Sequence, residues 1–211
     1  MDKLESYVLE AWQLTNSWEL IAVFFAVLYL VLVIKESIWC WPAALVSTGI
    51  YIFLFFDVNL YMESALQFFY IVMALYGWML WRKHDKTEDD LQITSWTVKQ
   101  HFFAISLVFL LVLISGFLLE TSTNAAYPWL DSLTTWGAVI TTWMVTKKIL
   151  ENWIYWIPLN SISVFLFIQR DLYLTALLFI FYVMLCINGY KLWHQRYETL
   201  SKHKEITHGL I

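Results

Sequence analysis

The sequence predicts an all-α integral membrane protein whose seven transmembrane helices form two parallel three-helix repeats joined by a linker helix. Three observations predict it. Of 211 residues, 60% are apolar and only 14% charged, where soluble domains average about half and about a quarter. Seven segments approach the roughly 20 mostly apolar residues that a bilayer crossing requires. A 22-residue stretch recurs, in diverged form, after 112 residues.

Segment 1–18 carries Asp2, Glu5 and Glu10 and lacks a basic n-region, so it reads as an interfacial segment and not as a cleavable signal. Spans follow at 19–34, 39–56 and 60–81, which make the first repeat, 19–81. A loop at 82–101 leads to the linker span 102–119, almost featureless Leu, Val, Ile and Phe. After a turn at 120–132 come spans 133–145, 149–168 and 172–193, the second repeat, 133–193, and a tail, 194–211. The fifth span is diluted by Thr134, Thr135, Thr141, Thr142 and Thr146 and stands only if those hydroxyls face protein or water. Asp131, in PWLDSLTT, reads as its acidic N-terminal cap. Pro42 and Pro158 fall in the first turns of spans two and six, where a missing N–H costs little. Trp39, Trp78, Trp81 and Trp193 lie at span ends, on belt positions.

Cations set the orientation. One side of the seven-span topology holds Lys3 and Arg170; the other holds Lys35, Arg82, Lys83, Lys86, Lys99, Lys147, Lys148, Lys191, Arg196, Lys202 and Lys204. Eleven against two places the C-terminus in the cytoplasm of a bacterial inner membrane and the N-terminus outside. Lys147, Lys148 and Lys191 then read as cytoplasmic anchors, KHDKTEDD as a solvated linker, and the five histidines, all on this side, as solvent-exposed. A net charge of −4 without a basic face excludes nucleic acid as partner. Cys40 and Cys186 make neither a disulfide framework nor a zinc site. No G-x-x-x-x-G-K-[ST] occurs, so this chain alone is no ATP-driven pump. No nucleophile, acid–base pair or ligand set marks an enzyme, and no cofactor is expected.

The repeat aligns LYMESALQFFYIVMALYGWMLW (60–81) with LYLTALLFIFYVMLCINGYKLW (172–193), identical at eight of 22 positions, among them Tyr70/Tyr182, Gly77/Gly189 and Trp81/Trp193. Upstream the match continues with a three-residue shift in the turn, pairing Glu36 with Glu151 and Trp41 with Trp156. The single intervening span returns the chain to its starting side, so both triplets run the same way, as in transporters with a repeat axis along the membrane normal, where substrate binds between repeats near the midplane.

Polar groups within spans are costly and therefore informative. Trp153, Trp156 and Asn160, at i, i+3 and i+7, share a face about 60° wide on the sixth span. Glu63, Gln67 and Tyr70, at i, i+4 and i+7, share one on the third span. The equivalents on the seventh are Thr175, Phe179 and Tyr182. Indole faces attract a flat cationic ring, and the amides satisfy its hydroxyls or carboxamide. The competing reading makes Gln67 and Asn160 interhelical packing glue; two converging faces favour a binding site for a flat, cationic, non-phosphorylated molecule.

The stretches WPAALVSTGIYIFLFF, LYMESALQFFYIVMALYGWMLW, PWLDSLTT, WIYWIPLNSIS and NGYKLW resemble the PnuC family of bacterial vitamin transporters, in family order across 19–193. The resemblance implies a 3+1+3 arrangement similar to SWEET sugar transporters, often a homotrimer, with substrate inside each protomer. It implies nicotinamide riboside as cargo, moved by facilitated diffusion and trapped by a cytoplasmic kinase, with thiamine carried by similar proteins. The family's W-x-x-W-x-x-x-N pattern is met by Trp153, Trp156 and Asn160, and its third-helix Gln by Gln67. Glu63 departs from the shorter or neutral residue common there. The alternative of another class is an assembly protein without cargo, discriminated by whether the purified chain binds a small molecule.

Overall fold

Long apolar runs broken by short polar turns dictate helices, and the computed structural model, which describes residues 17–57, 61–84, 91–122, 127–169 and 173–208, is all-helical. Seven α-helices lie among the described residues: α1 (Ser17–Ile34), α2 (Cys40–Asp57), α3 (Tyr61–His84), α4 (Val98–Ser122), α5 (Pro128–Thr146), α6 (Asn152–Gln169) and α7 (Tyr173–His208). The interfacial segment 1–18 lies almost wholly outside the described residues, as do the turn 58–60 and most of KHDKTEDD. Val98–Ser122 and Ala176–Lys202 are long and apolar enough to cross a membrane, while α1 and α2 hold shorter apolar stretches, Leu20–Ile34 and Cys40–Leu54. On α4 only 17% of the most apolar window is buried, with Phe102, Phe103, Phe109 and Phe117 all exposed. That is the reverse of an amphipathic surface helix, which hides its apolar stripe.

The helices belong to two compact units, Met1–Met79 with Asn160–Val183, and Leu80–Leu159 with Met184–Ile211. In the first, α1 packs on α2, and the buried Ser47 hydroxyl donates to Ala22 O at 2.9 Å. Trp41, on α2, covers Gly77 of α3: a Cβ there would lie 2.4 Å from the indole ring. In the second unit α4 packs on α5, where Trp129 covers Gly116 and Trp136 Nε1 donates to Ser115 Oγ at 3.0 Å.

Both helix hairpins α1–α2 and α5–α6 turn in the same way. Glu36 (φ 53°) and Lys148 (φ 51°) are left-handed. In the first turn Glu36 N–H donates to Val33 O and Ser37 N–H to Leu32 O; in the second Lys148 N–H donates to Val145 O and Ile149 N–H to Met144 O. Each is a Schellman motif, which closes the last carbonyls of the helix, built without the usual glycine at a cost of about 1 kcal/mol or more. Every pair is separated by 112 residues. The same offset relates α2 (Cys40–Asp57) to α6 (Asn152–Gln169) end for end and Trp41 over Gly77 to Trp153 over Gly189. The three-residue shift read from the sequence is therefore corrected: Glu36 corresponds to Lys148 and Trp41 to Trp153.

Other expectations also change. The fifth helix begins at Pro128, so Asp131 is not its cap: it lies in the first turn, its N–H donating to Tyr127 O at 2.9 Å. Pro158 sits inside α6, beyond its first turn. Trp39 is 69% exposed, but Trp81 and Trp193 are buried and so are not belt residues. Trp81 Nε1 donates to Thr146 O at 3.0 Å. Lys148 is buried too, its ammonium 4.7 Å from the Trp81 ring centre, a cation–π contact in place of a solvated anchor. Of the loop 82–101, residues 91–97 are built against the α5–α6 turn: Thr94 pairs in parallel with Ile149, and Ile93 is buried. His101 and His194 are half-buried. Nδ1 of His101 lies 2.8 Å from the Tyr155 hydroxyl, and His194 stacks on Tyr190 at 5.6 Å. The tail is helical through His208.

Candidate substrate-binding site

Helix α6 starts where the α5–α6 turn releases the chain, its first residue Asn152 donating from Nδ2 to Ile149 O at 2.6 Å. One turn of helix then separates three of the residues the sequence singles out. Trp153 is 0% exposed. Its ring lies over Gly189, where an added Cβ would come within 2.8 Å, and meets Trp193 edge to face at 5.3 Å. Its Nε1 has no hydrogen-bond partner among the described residues. The faces of this indole are thus occupied by α7, and Trp41 over Gly77 is its equivalent in packing. Trp156, a further turn along, is half-buried and leaves ring surface uncovered. Asn160 follows at 5% exposure, an amide held in apolar surroundings by Leu159 and the isoleucine-rich stretch beyond it.

Asn160 shares its unit with the predicted residues of α3 and α7. Gln67 is buried at 9% exposure. Tyr70 is half-buried and tilted against Phe69 at 5.9 Å, and Tyr182 is half-buried against Phe179 at 5.4 Å. Two carboxamides and two phenols therefore occur in one unit, while Trp153 and Trp156 fall in the other at the opposite end of the same helix. The side chains of Glu63 and Thr175 lie outside the described residues. Sequence reasoning missed Tyr51 of α2, which interacts electrostatically with Tyr182. The signal for it was the polar run Ser47, Thr48, Tyr51 at helical spacing.

The offset of 112 sets each residue beside its counterpart. Asn160 answers to Thr48, whose hydroxyl donates to Ala44 O at 2.7 Å, and Trp156 answers to Ala44 itself. Gln67 answers to Phe179 and Tyr70 to Tyr182. The polar side chains come from α3 in one triplet and α6 in the other, so any site they make is asymmetric despite the similar backbones. Buried amides require partners, and such groups provide both donors and acceptors. No Lys or Arg occurs in α1, α2, α5 or α6.

Comparison with known proteins places these features in a family. The family model described as nicotinamide mononucleotide transporter matches residues 16–195. The nicotinamide riboside transporter PnuC of Escherichia coli is 25% identical over 177 residues, covering 71% of this chain and 73% of that protein. The riboflavin/roseoflavin transporter RibM of Streptomyces davaonensis is 24% identical over 166 residues, covering 77% of each. The crystal structure of the vitamin B3 transporter PnuC superposes with a TM-score of 0.71 at 20% identity, covering 93% of this chain and 88% of that one, and so shares the fold. A match over 180 consecutive residues that includes α3, α6 and most of α7 makes this chain a member of the nicotinamide mononucleotide transporter family, the PnuC family of vitamin transporters.

Proposed function

We propose that this chain spans the bacterial inner membrane in a 3+1+3 arrangement, N-terminus outside, and imports nicotinamide riboside by facilitated diffusion. The observation that carries the reading is the half-buried indole of Trp156 one turn from the buried amide of Asn160. A pyridinium ring stacks on an indole face, where a desolvated cation–π contact contributes about 2 kcal/mol. The ribose hydroxyls and carboxamide then match the amides of Asn160 and Gln67, with Tyr70 and Tyr182 as further hydroxyl partners and Glu63 as a carboxylate for the cationic ring. Trp153 fixes α6 against α7 beneath this face. The exposed apolar surface of α4 faces lipid or a neighbouring protomer of a trimer, and a cytoplasmic kinase that phosphorylates the riboside would trap it.

The absence of cationic side chains from α1, α2, α5 and α6 carries a consequence for phosphate, because nothing there offsets the desolvation of a dianion. Proteoliposomes loaded with nicotinamide riboside should exchange it for labelled riboside without ATP, Na⁺ or a proton gradient, and nicotinamide mononucleotide should not compete. Concentrative uptake abolished by an ionophore, or equal competition by the mononucleotide, contradicts the proposal. Thiamine and riboflavin in the same assay separate the cargoes of similar carriers.

Asn160→Leu and Gln67→Leu are each expected to weaken riboside binding by about 1–3 kcal/mol, since a cargo hydroxyl or amide is left unpaired in a dry site. Calorimetric titration of purified variants with unchanged elution checks this.

A further inference from the structure

The segment that precedes α4 grips α6 at two successive turns, and nothing in the proposed transport site accounts for it. At the first turn the Glu151 carboxylate accepts hydrogen bonds from the Ser95 hydroxyl and from Trp96 N–H at 3.1 Å. Backbone bonds flank it: Thr94 N–H donates to Lys148 O at 3.1 Å and Leu150 N–H to Thr94 O at 2.8 Å. Thr97 then opens α4, its N–H and hydroxyl both donating to Gln100 Oε1, so the carboxylate also lies near the positive end of that helix. At the next turn of α6, the Tyr155 hydroxyl meets His101 Nδ1 at 2.8 Å, with the two rings stacked at 5.8 Å. Trp96 closes the group, 5.4 Å from His101 and 5.9 Å from Trp143.

Helical geometry relates this grip to the cargo face. At 100° per residue, Glu151 and Tyr155 centre on a direction about 150° from the centre of Trp153, Trp156 and Asn160. The linker therefore holds the back of the helix whose front carries the proposed site. A helix held at two points one turn apart is fixed in rotation as well as in height, which a single contact does not achieve. Burial of Ile93, Ile149 and Leu150 beside the bridge keeps water from its backbone bonds.

We propose that Glu151 and Tyr155 are positioning residues for transport: through Ser95, Trp96 and His101 they clamp α6 to the linker and set the rotation at which Trp156 and Asn160 meet the cargo. This rests on the transport reading above, and the experiment separates the two. Parent, Glu151→Ala, Tyr155→Phe, the double variant and Glu151→Asp would be compared by hydrogen exchange and by titration with nicotinamide riboside. Amide exchange in 93–97 and 149–155 should rise about tenfold or more in the double variant while α1 and α2 are unchanged. Riboside affinity should fall about threefold to tenfold in each single variant and further in the double, with Glu151→Asp recovering part of the loss. Faster exchange with parental affinity would overturn the positioning role and leave the linker a structural brace. Unchanged exchange would overturn the clamp itself. If the parent binds no nicotinamide riboside, thiamine or riboflavin, the transport reading fails and the positioning role with it, while the exchange arm still decides the clamp.

Discussion

Trp156→Ala is expected to weaken nicotinamide riboside binding by about 2–4 kcal/mol, roughly 30- to 1,000-fold, the loss typical of a buried aromatic anchor at a binding hot spot. The structure gives the reason for choosing this tryptophan of the two on α6. Trp156 retains uncovered ring surface, whereas the Trp153 ring is enclosed by Gly189 and Trp193. Trp156→Phe should cost much less because a π-face remains. The exposed Trp39 supplies the control, and Trp39→Phe should leave affinity unchanged. Titration of the three purified variants decides the matter: parental affinity in Trp156→Ala removes the indole from the site.

Trp153→Ala is expected to act on stability first. Its side chain is fully buried, and truncating a buried tryptophan costs about 3–5 kcal/mol, part of it from the cavity left behind. The complementary substitution, Gly189→Val, should be comparably severe, because even a Cβ at this position stands 2.8 Å from the indole and overpacking in a tight helix contact has few outlets. Both variants should show a lowered midpoint in thermal unfolding in detergent. A normal unfolding midpoint for Trp153→Ala, combined with lost binding, would instead assign its ring to the cargo.

The pair illustrates what the sequence could and could not disclose. Spacing at i and i+3 places both indoles on one side of α6 but does not say which of them a glycine on another helix receives. The helices themselves were legible, since long apolar runs end where turn residues appear, and six of the seven begin within four residues of the expected position. Register in the repeat was not. Glu and Trp recur at a spacing of 115, which suggests a shifted turn, but the conserved feature is backbone shape: Glu36 and Lys148 have opposite charges and the same left-handed φ. A Schellman turn without glycine leaves no residue signature. The segment 91–97 was hidden for another reason. It follows a run of charges that reads as solvated, and its partner, the turn beginning at Lys147, lies more than 50 residues away, so its pairing depends on tertiary placement alone. Buried Trp81 and Trp193 were misread because a tryptophan near the end of a span has the same sequence context whether it meets headgroups or a helix terminus such as Thr146 O.

The central claim is that this family member binds a flat, cationic, non-phosphorylated vitamin on the Trp156 and Asn160 face of α6. Its most direct test is a calorimetric titration of the purified parent with nicotinamide riboside and with nicotinamide mononucleotide under identical conditions. Saturable binding of the riboside, abolished in Trp156→Ala, with no measurable binding of the mononucleotide is the predicted result. Mononucleotide binding as tight as that of the riboside, or riboside binding indifferent to Trp156, would contradict it.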